Sequence, residues 1–176
     1  LNCYSLEYEL IPFETGEYEL VIINTNKPRT LADSKYNERF TECGKALKAL
    51  KKELPVNNLC EIQIETFQQK KYLLGDETLE KRALHVIAEN FRVNESVKHL
   101  QSRDLKKVGE LMFSSHDSLK FLYEVSGVEL DTIVEFCKEF EGCIGARMTG
   151  AGFGGCAIAL VKKDRVGEFS KDLKSY

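Results

Sequence analysis

The sequence predicts an α+β domain in which strands near both ends form a mainly antiparallel sheet packed against a central set of helices. Three observations carry this. Short apolar runs rich in β-branched and aromatic residues lie near the two ends, and amphipathic patterns with three- and four-residue spacing fill the middle. A glycine-dense turn separates the last two strand-like runs.

In chain order, Tyr4 to Phe13 and Tyr18 to Asn24 flank Glu14-Thr15-Gly16-Glu17, a pattern that predicts a two-stranded hairpin. A helical pattern opens at Asp33 or Ser34, both suitable N-caps, and runs to about Leu54, where Pro55 stops it. Residues 56 to 76 read as short and irregular, punctuated by Gly75-Asp76. Three amphipathic helices follow, over Glu77 to Leu100, Asp104 to Val125 and Leu130 to Phe140. Glu141-Gly142 turns the chain into a strand around Ile144 to Met148. A second strand, Cys156 to Val161, leads to a terminal helix from Asp164.

The turn between those strands is the most informative segment. Gly145 to Gly155 contains five glycines in eleven residues, so the backbone there either enters positive φ or approaches another group closely. Gly150-x-Gly152-x-x-Gly155 has the spacing of a dinucleotide fingerprint, but that fingerprint needs a helix to open at the glycines. Here a short apolar run follows, so the segment reads as a glycine-rich turn feeding a strand. Arg147 is a candidate side-chain anchor beside it, and Met148 and Phe153 read as packing residues.

Composition narrows the function classes. With 25 basic and 28 acidic residues the net charge is −3, so no field of one sign points to nucleic acid or a membrane surface. The apolar runs are too short to span a bilayer. Six cysteines form no C-x-x-C pair, which predicts reduced thiols and a cytoplasmic setting. Ser115, His116 and Asp117 are adjacent on one predicted helix and do not face one another, so they form no relay. The three histidines read as surface or helix-packing residues without metal-ligand spacing, and Glu38-x-x-x-Glu42 as a solvated face. Lys27 and Arg29, just before a helix, are either phosphate-facing cations or simply solvated.

Three ordered stretches resemble a known family. Asn24-Thr25-Asn26-Lys27-Pro28-Arg29 through Tyr36-Asn37-Glu38-Arg39, closed by Glu42-Cys43, is the first. Ser115-His116-Asp117-Ser118-Leu119 with Tyr123-Glu124-Val125-Ser126 is the second, and Arg147-Met148-Thr149-Gly150-Ala151-Gly152-Phe153-Gly154-Gly155-Cys156 the third. Together they resemble the galactokinases, a branch of the superfamily of homoserine, mevalonate and phosphomevalonate kinases (GHMP kinases). The glycine-rich stretch alone marks only the superfamily.

The resemblance implies the C-terminal domain of an enzyme that transfers the γ-phosphoryl of ATP to the anomeric hydroxyl of galactose with Mg2+. It implies a substrate-binding role for Tyr36 and an active-site loop at Gly150, Gly152, Gly154 and Gly155; Arg29, from its place before the helix, is the phosphate-facing candidate. The catalytic aspartate, the phosphate-cradling loop and the main ATP and Mg2+ ligands are expected upstream of Leu1, so the chain is expected to be a C-terminal piece, inactive alone, that works with its own N-terminal domain. Residues 1–24 are expected to complete or adjoin that N-terminal domain, with 25–176 as the C-terminal domain. A kinase for N-acetylgalactosamine and a non-catalytic galactose-sensing regulator are the alternatives. Arg39-Phe40 stands where the family usually has Arg-Arg.

Overall fold

A computed structural model describes residues 1, 5–27 and 32–176, with the backbone alone at 32–34. Three strands, β1 (Tyr18–Asn24), β2 (Cys143–Thr149) and β3 (Cys156–Lys162), form one antiparallel sheet in the order β1-β3-β2. The helices are α1 (Ala32–Leu50), α2 (Ile64–Lys70), α3 (Glu77–Gln101), α4 (Leu105–Ser118), α5 (Val128–Glu139) and α6 (Val166–Leu173). The predicted architecture is the observed one: a terminal sheet under central helices.

Two apolar cores divide the work. Leu130, Val134, Phe136 and Cys137 of α5 pack with Ala146 and Met148 of β2, Ala157, Ala159 and Val161 of β3, and Phe169 of α6. Phe169 lies 5.3 Å from Phe136 and edge-on to Phe140 at 5.2 Å between ring centroids, which fastens α6 to α5. The second core joins Ala46 and Leu50 of α1, Phe67 of α2, and Ala83 and Ile87 of α3. Between the cores, α4 touches β2 backbone to backbone: a Cβ on Gly109 would lie 2.0 Å from the Ile144 carbonyl oxygen. Only glycine permits that approach.

Local chemistry explains most boundaries. Asp76 caps α3 by accepting from the Leu79 N–H at 3.1 Å, and Asp104 caps α4 by accepting from the Lys107 N–H at 3.2 Å. Helix α1 unwinds through Lys51 to Leu54 before Pro55, because a proline disfavours α backbone in the residue before it.

Three expectations need correction. Residues 5 to 13 form no strand, and β1 pairs along its whole length with β3, from Tyr18↔Lys162 to Asn24↔Cys156. The hairpin with Tyr18 to Asn24 is therefore absent, and β1 belongs to the same sheet as β2 and β3. Residues 56 to 76 are not irregular throughout, since α2 forms there by burying Phe67. The helix expected up to Val125 ends at Ser118 and continues as a π-turn, Leu119–Tyr123, after which Glu124 adopts left-handed backbone at φ 55. The cause is distant in sequence and belongs to the site.

Candidate functional site

The loop joining β2 to β3 is held in left-handed backbone: φ is 79 at Gly150, 84 at Gly152, 56 at Phe153, 122 at Gly154 and 80 at Gly155. It is clamped from two sides. The Phe153 N–H donates to the Val125 carbonyl at 2.9 Å, and the Thr25 N–H and Oγ1 both donate to the Gly155 carbonyl at 2.8 Å. The contacts leave no room for side chains. A Cβ on Gly152 would lie 1.9 Å from the Val125 oxygen, and one on Gly154 would lie 2.8 Å from the Lys27 oxygen. Gly152 and Gly154 thus seat the loop against its own chain, while Gly150 and Ala151 stay exposed at its tip.

Beneath the loop lies a charged cluster. Arg82 of α3 donates to Glu42 at 2.8 Å, to Glu124 at 2.8 Å and to the Leu122 carbonyl. Arg39 of α1 donates to Glu42 at 3.0 Å, to the Glu124 carbonyl at 3.2 Å and to the Tyr123 carbonyl. Both guanidiniums are buried, 4% exposed at Arg39 and 2% at Arg82. Burial pushes Arg82 down, but the hydrogen bonds to Glu124 and Glu42 outweigh it and hold its pKa above the ordinary value. Bonding from Arg82 holds the Glu124 carboxyl low. Glu42 is consequently an internal partner and not part of a solvated face, while Glu38 is half-exposed. The carbonyls of residues 122 to 124 answer to these guanidiniums, which is where the α-helical ladder gives way.

Two of the three histidines, His85 and His116, are buried packing residues. His85 is buried, stacks on Tyr123 at 4.3 Å and shares a 2.8 Å hydrogen bond with Ser118. Burial lowers its pKa to about 4. His116 accepts from the Met148 N–H through Nδ1 at 3.2 Å, so its Nε2 carries the proton donated to Asp131 at 3.1 Å. Ser115 donates to Glu89 and Asp117 accepts from Lys138, so no relay forms among the three adjacent residues. Arg147 anchors β2 to α3 through a 3.0 Å bond to Glu89, as its place beside the loop suggested. Cys43, Cys137, Cys143 and Cys156 are free thiols.

The expected site residues fall unevenly. Tyr36 stands on α1, 64% exposed, one turn before Arg39. No hydrogen bond among the described residues occupies its hydroxyl. The four loop glycines sit together as described. Lys27 is paired with Glu129 at 2.7 Å on the surface, which satisfies its ammonium within the chain. Arg29 lies outside the described residues. Tyr36 and the loop do not bond to each other; they meet through residues 122–125, which Arg39 holds on one side and Phe153 engages on the other. Val125, Thr25, Arg82 and Glu124 complete the arrangement; Thr25, Glu124 and Val125 lie in the stretches that carry the resemblance without having been singled out, and Arg82 lies outside all three. An open groove of about 590 Å3 lies elsewhere, between the free edge of β1 and helices α5 and α6, and is lined by neither Tyr36 nor the loop glycines. It is the uncovered edge of the sheet. Among the described residues no helix is long and apolar enough to cross a membrane.

A sheet under helices with a clamped glycine-rich hairpin matches a described family over residues 96–176, GHMP kinases C terminal. It is over residues 96–176 that the chain is similar to the C-terminal domain of GHMP kinases. Along nearly its whole length it is also similar to galactokinases and corresponds to their C-terminal portion. It is 51% identical to the galactokinase of Clostridium tetani over 99% of this chain and 45% of that one. It is 52% identical to the galactokinase of Lactococcus lactis subsp. cremoris over 97% of this chain and 43% of that one. The crystal structure of Lactococcus lactis galactokinase complexed with galactose superposes with a TM-score of 0.95 at 51% identity, covering 98% of this chain and 45% of that one. A mevalonate kinase from L. major shares the fold at a TM-score of 0.61 and 23% identity. The chain thus spans less than half the length of the galactokinases it matches.

Proposed function

We propose that the complete protein is a galactokinase, transferring the γ-phosphoryl of ATP to the anomeric hydroxyl of galactose in the cytoplasm, and that this chain supplies the C-terminal side of its active site. The observation that carries the reading is the 0.95 TM-score, at 51% identity, to a galactokinase complexed with galactose. That likeness favours galactose over N-acetylgalactosamine and an active kinase over a sensing regulator.

Each residue takes a physical role within this reading. Tyr36 presents a phenol with no partner among the described residues and donates to a sugar hydroxyl. The loop tip at Gly150-Ala151 turns its exposed backbone toward the nucleotide, while Gly152, Gly154 and Gly155 hold that tip in register. Such a backbone suits phosphate because left-handed and glycine-rich segments turn amides outward without Cβ obstruction. Arg29 remains a phosphate-facing candidate on sequence grounds.

ATP supplies the phosphoryl group, with Mg2+ neutralising its charge. Among the described residues no three His, Cys, Asp or Glu side chains cluster to hold a metal, and Glu42, Glu89 and Glu124 are each engaged by arginines. The Mg2+ ligands and the catalytic aspartate are therefore assigned to the N-terminal portion. That portion also covers the exposed apolar side chains of Leu6, Tyr8, Leu10 and Phe40. The pairing of β1 with β3 supports a boundary between the two units before Tyr18 in place of one after residue 24.

The test is ADP release by the purified complete protein with ATP and one sugar at a time. Release with galactose at a kcat/KM at least about tenfold above that with N-acetylgalactosamine supports the assignment. Galactose binding without ADP release contradicts it.

A further inference from the structure

The buried cluster of Arg39, Glu42, Arg82 and Glu124 bonds to none of the residues assigned to galactose or ATP, yet the backbone carbonyls it takes all lie in one short segment. Arg82 and Arg39 between them take the carbonyls of Leu122, Tyr123 and Glu124, three in succession. The Arg82 guanidinium is tied back to Glu42 and Glu124, which fixes its plane. The next residue is Val125. Its N–H donates to the Leu119 carbonyl at 3.1 Å, and its own carbonyl accepts from Phe153 and abuts Gly152. The path from Arg82 to the loop therefore runs from its guanidinium to the Leu122 carbonyl, along the backbone of Tyr123 and Glu124 whose carbonyls Arg39 holds, to the Val125 carbonyl and the Phe153 amide.

We propose that Arg82 is a positioning residue for the glycine-rich loop, setting the direction of the Val125 carbonyl and so the placement of the exposed tip at Gly150-Ala151. The inference rests on the kinase reading for its consequence, that the tip faces nucleotide phosphate, but not for the coupling itself. Apolar residues of similar volume often stabilise a core as well as a buried ion pair does. They cannot aim three carbonyls. Arg82 is the member to test because Arg39 shares its helix face with Tyr36, and a change there would disturb the sugar side as well.

Arg82→Lys in the complete protein keeps the charge but cannot satisfy two carboxylates and a carbonyl in one plane. Hydrogen exchange at two amides separates positioning from general support. The Phe153 amide, bonded to Val125, is expected to exchange at least about tenfold faster than in the parent, while the Lys162 amide, bonded to the Gly142 carbonyl at 2.9 Å at the far end of the same strands, stays within about twofold. In the coupled assay the KM for ATP is expected to rise about tenfold, with the KM for galactose within about twofold. Equal acceleration at both amides means general destabilisation and overturns the proposal, as does no change at either. If Arg82→Lys does not fold, Glu124→Gln, at a half-exposed side chain, is judged by the same two amides. A parent protein that releases no ADP with galactose refutes the kinase reading alone, and the exchange result still decides the positioning role.

Discussion

Replacing Gly152 by alanine adds one methyl group where the structure has no space. The backbone at that position sits at φ 84, and an L-residue there costs roughly 1–2 kcal/mol before any contact is considered. The new Cβ would also stand 1.9 Å from the Val125 carbonyl oxygen and 2.9 Å from the Met148 methyl. The thioether can yield, but the carbonyl belongs to a backbone held by Leu119 and Phe153. Displacing it removes the Phe153 hydrogen bond, about 1 kcal/mol, and overpacks the site by about 1–3 kcal/mol more. The total expected loss is about 3–6 kcal/mol. Gly16→Ala provides the reference, because Gly16 has φ 55 and a Cβ there meets nothing within 4 Å. It should show the conformational cost alone. Urea unfolding of both variants beside the parent gives the comparison, and Gly152→Ala should be less stable than Gly16→Ala by about 2–4 kcal/mol. Losses equal within about 0.5 kcal/mol would refute the close-approach argument.

Tyr36→Phe in the complete protein should lower kcat/KM for galactose by about 2- to 12-fold, the worth of one neutral hydrogen bond of roughly 0.5–1.5 kcal/mol, and leave the ATP term unchanged. Steady-state kinetics with each substrate varied checks this, and an ATP effect without a galactose effect moves Tyr36 to the nucleotide side. His85 gives a pH dependence. Its folded pKa of about 4 lies below the ordinary 6.5, so the unfolded chain takes up the proton first. Stability is then fully present above pH 6.5 and declines as the pH falls toward 4, by about 3 kcal/mol in all. His116, also lowered by burial, acts in the same direction. Unfolding free energies from pH 7 to 4 should show the slope, and His85→Asn should flatten it; equal slopes in the two proteins count against the buried neutral imidazole. Residues 1–176 alone should release no ADP with galactose above background, and measurable turnover would place the catalytic groups within this chain.

Elements whose cause is local could be read in the sequence. Asp76 and Asp104 announce their helices, Pro55 ends another, and the glycine hairpin with its β-branched flanks gives both strands and the loop. What escaped has a distant cause. The break after Ser118 carries no glycine or proline, because it is made by Arg39 and Arg82 taking carbonyls from more than eighty and from forty residues away along the chain. Helix α2 is seven residues long and rests on the burial of Phe67, which periodicity does not report. The alternation of Leu6, Tyr8 and Leu10 is genuine, but those side chains are exposed and find no ladder partner among the described residues. It marks an exposed apolar surface and not a hairpin. The glycine loop was visible through its pattern and Tyr36 was marked by the resemblance alone, whereas Glu42 looked like any acid on a helix face. Only the fold brings the two arginines to it.

The most direct test of the central claim is the chemical identity of the product. After incubation of the complete protein with ATP, Mg2+ and galactose, phosphorus NMR with proton correlation should show a single sugar phosphate whose phosphorus couples to the anomeric proton of galactose, formed in step with ADP. Phosphate on any other hydroxyl, or ATP left intact while galactose is bound, would contradict the assignment.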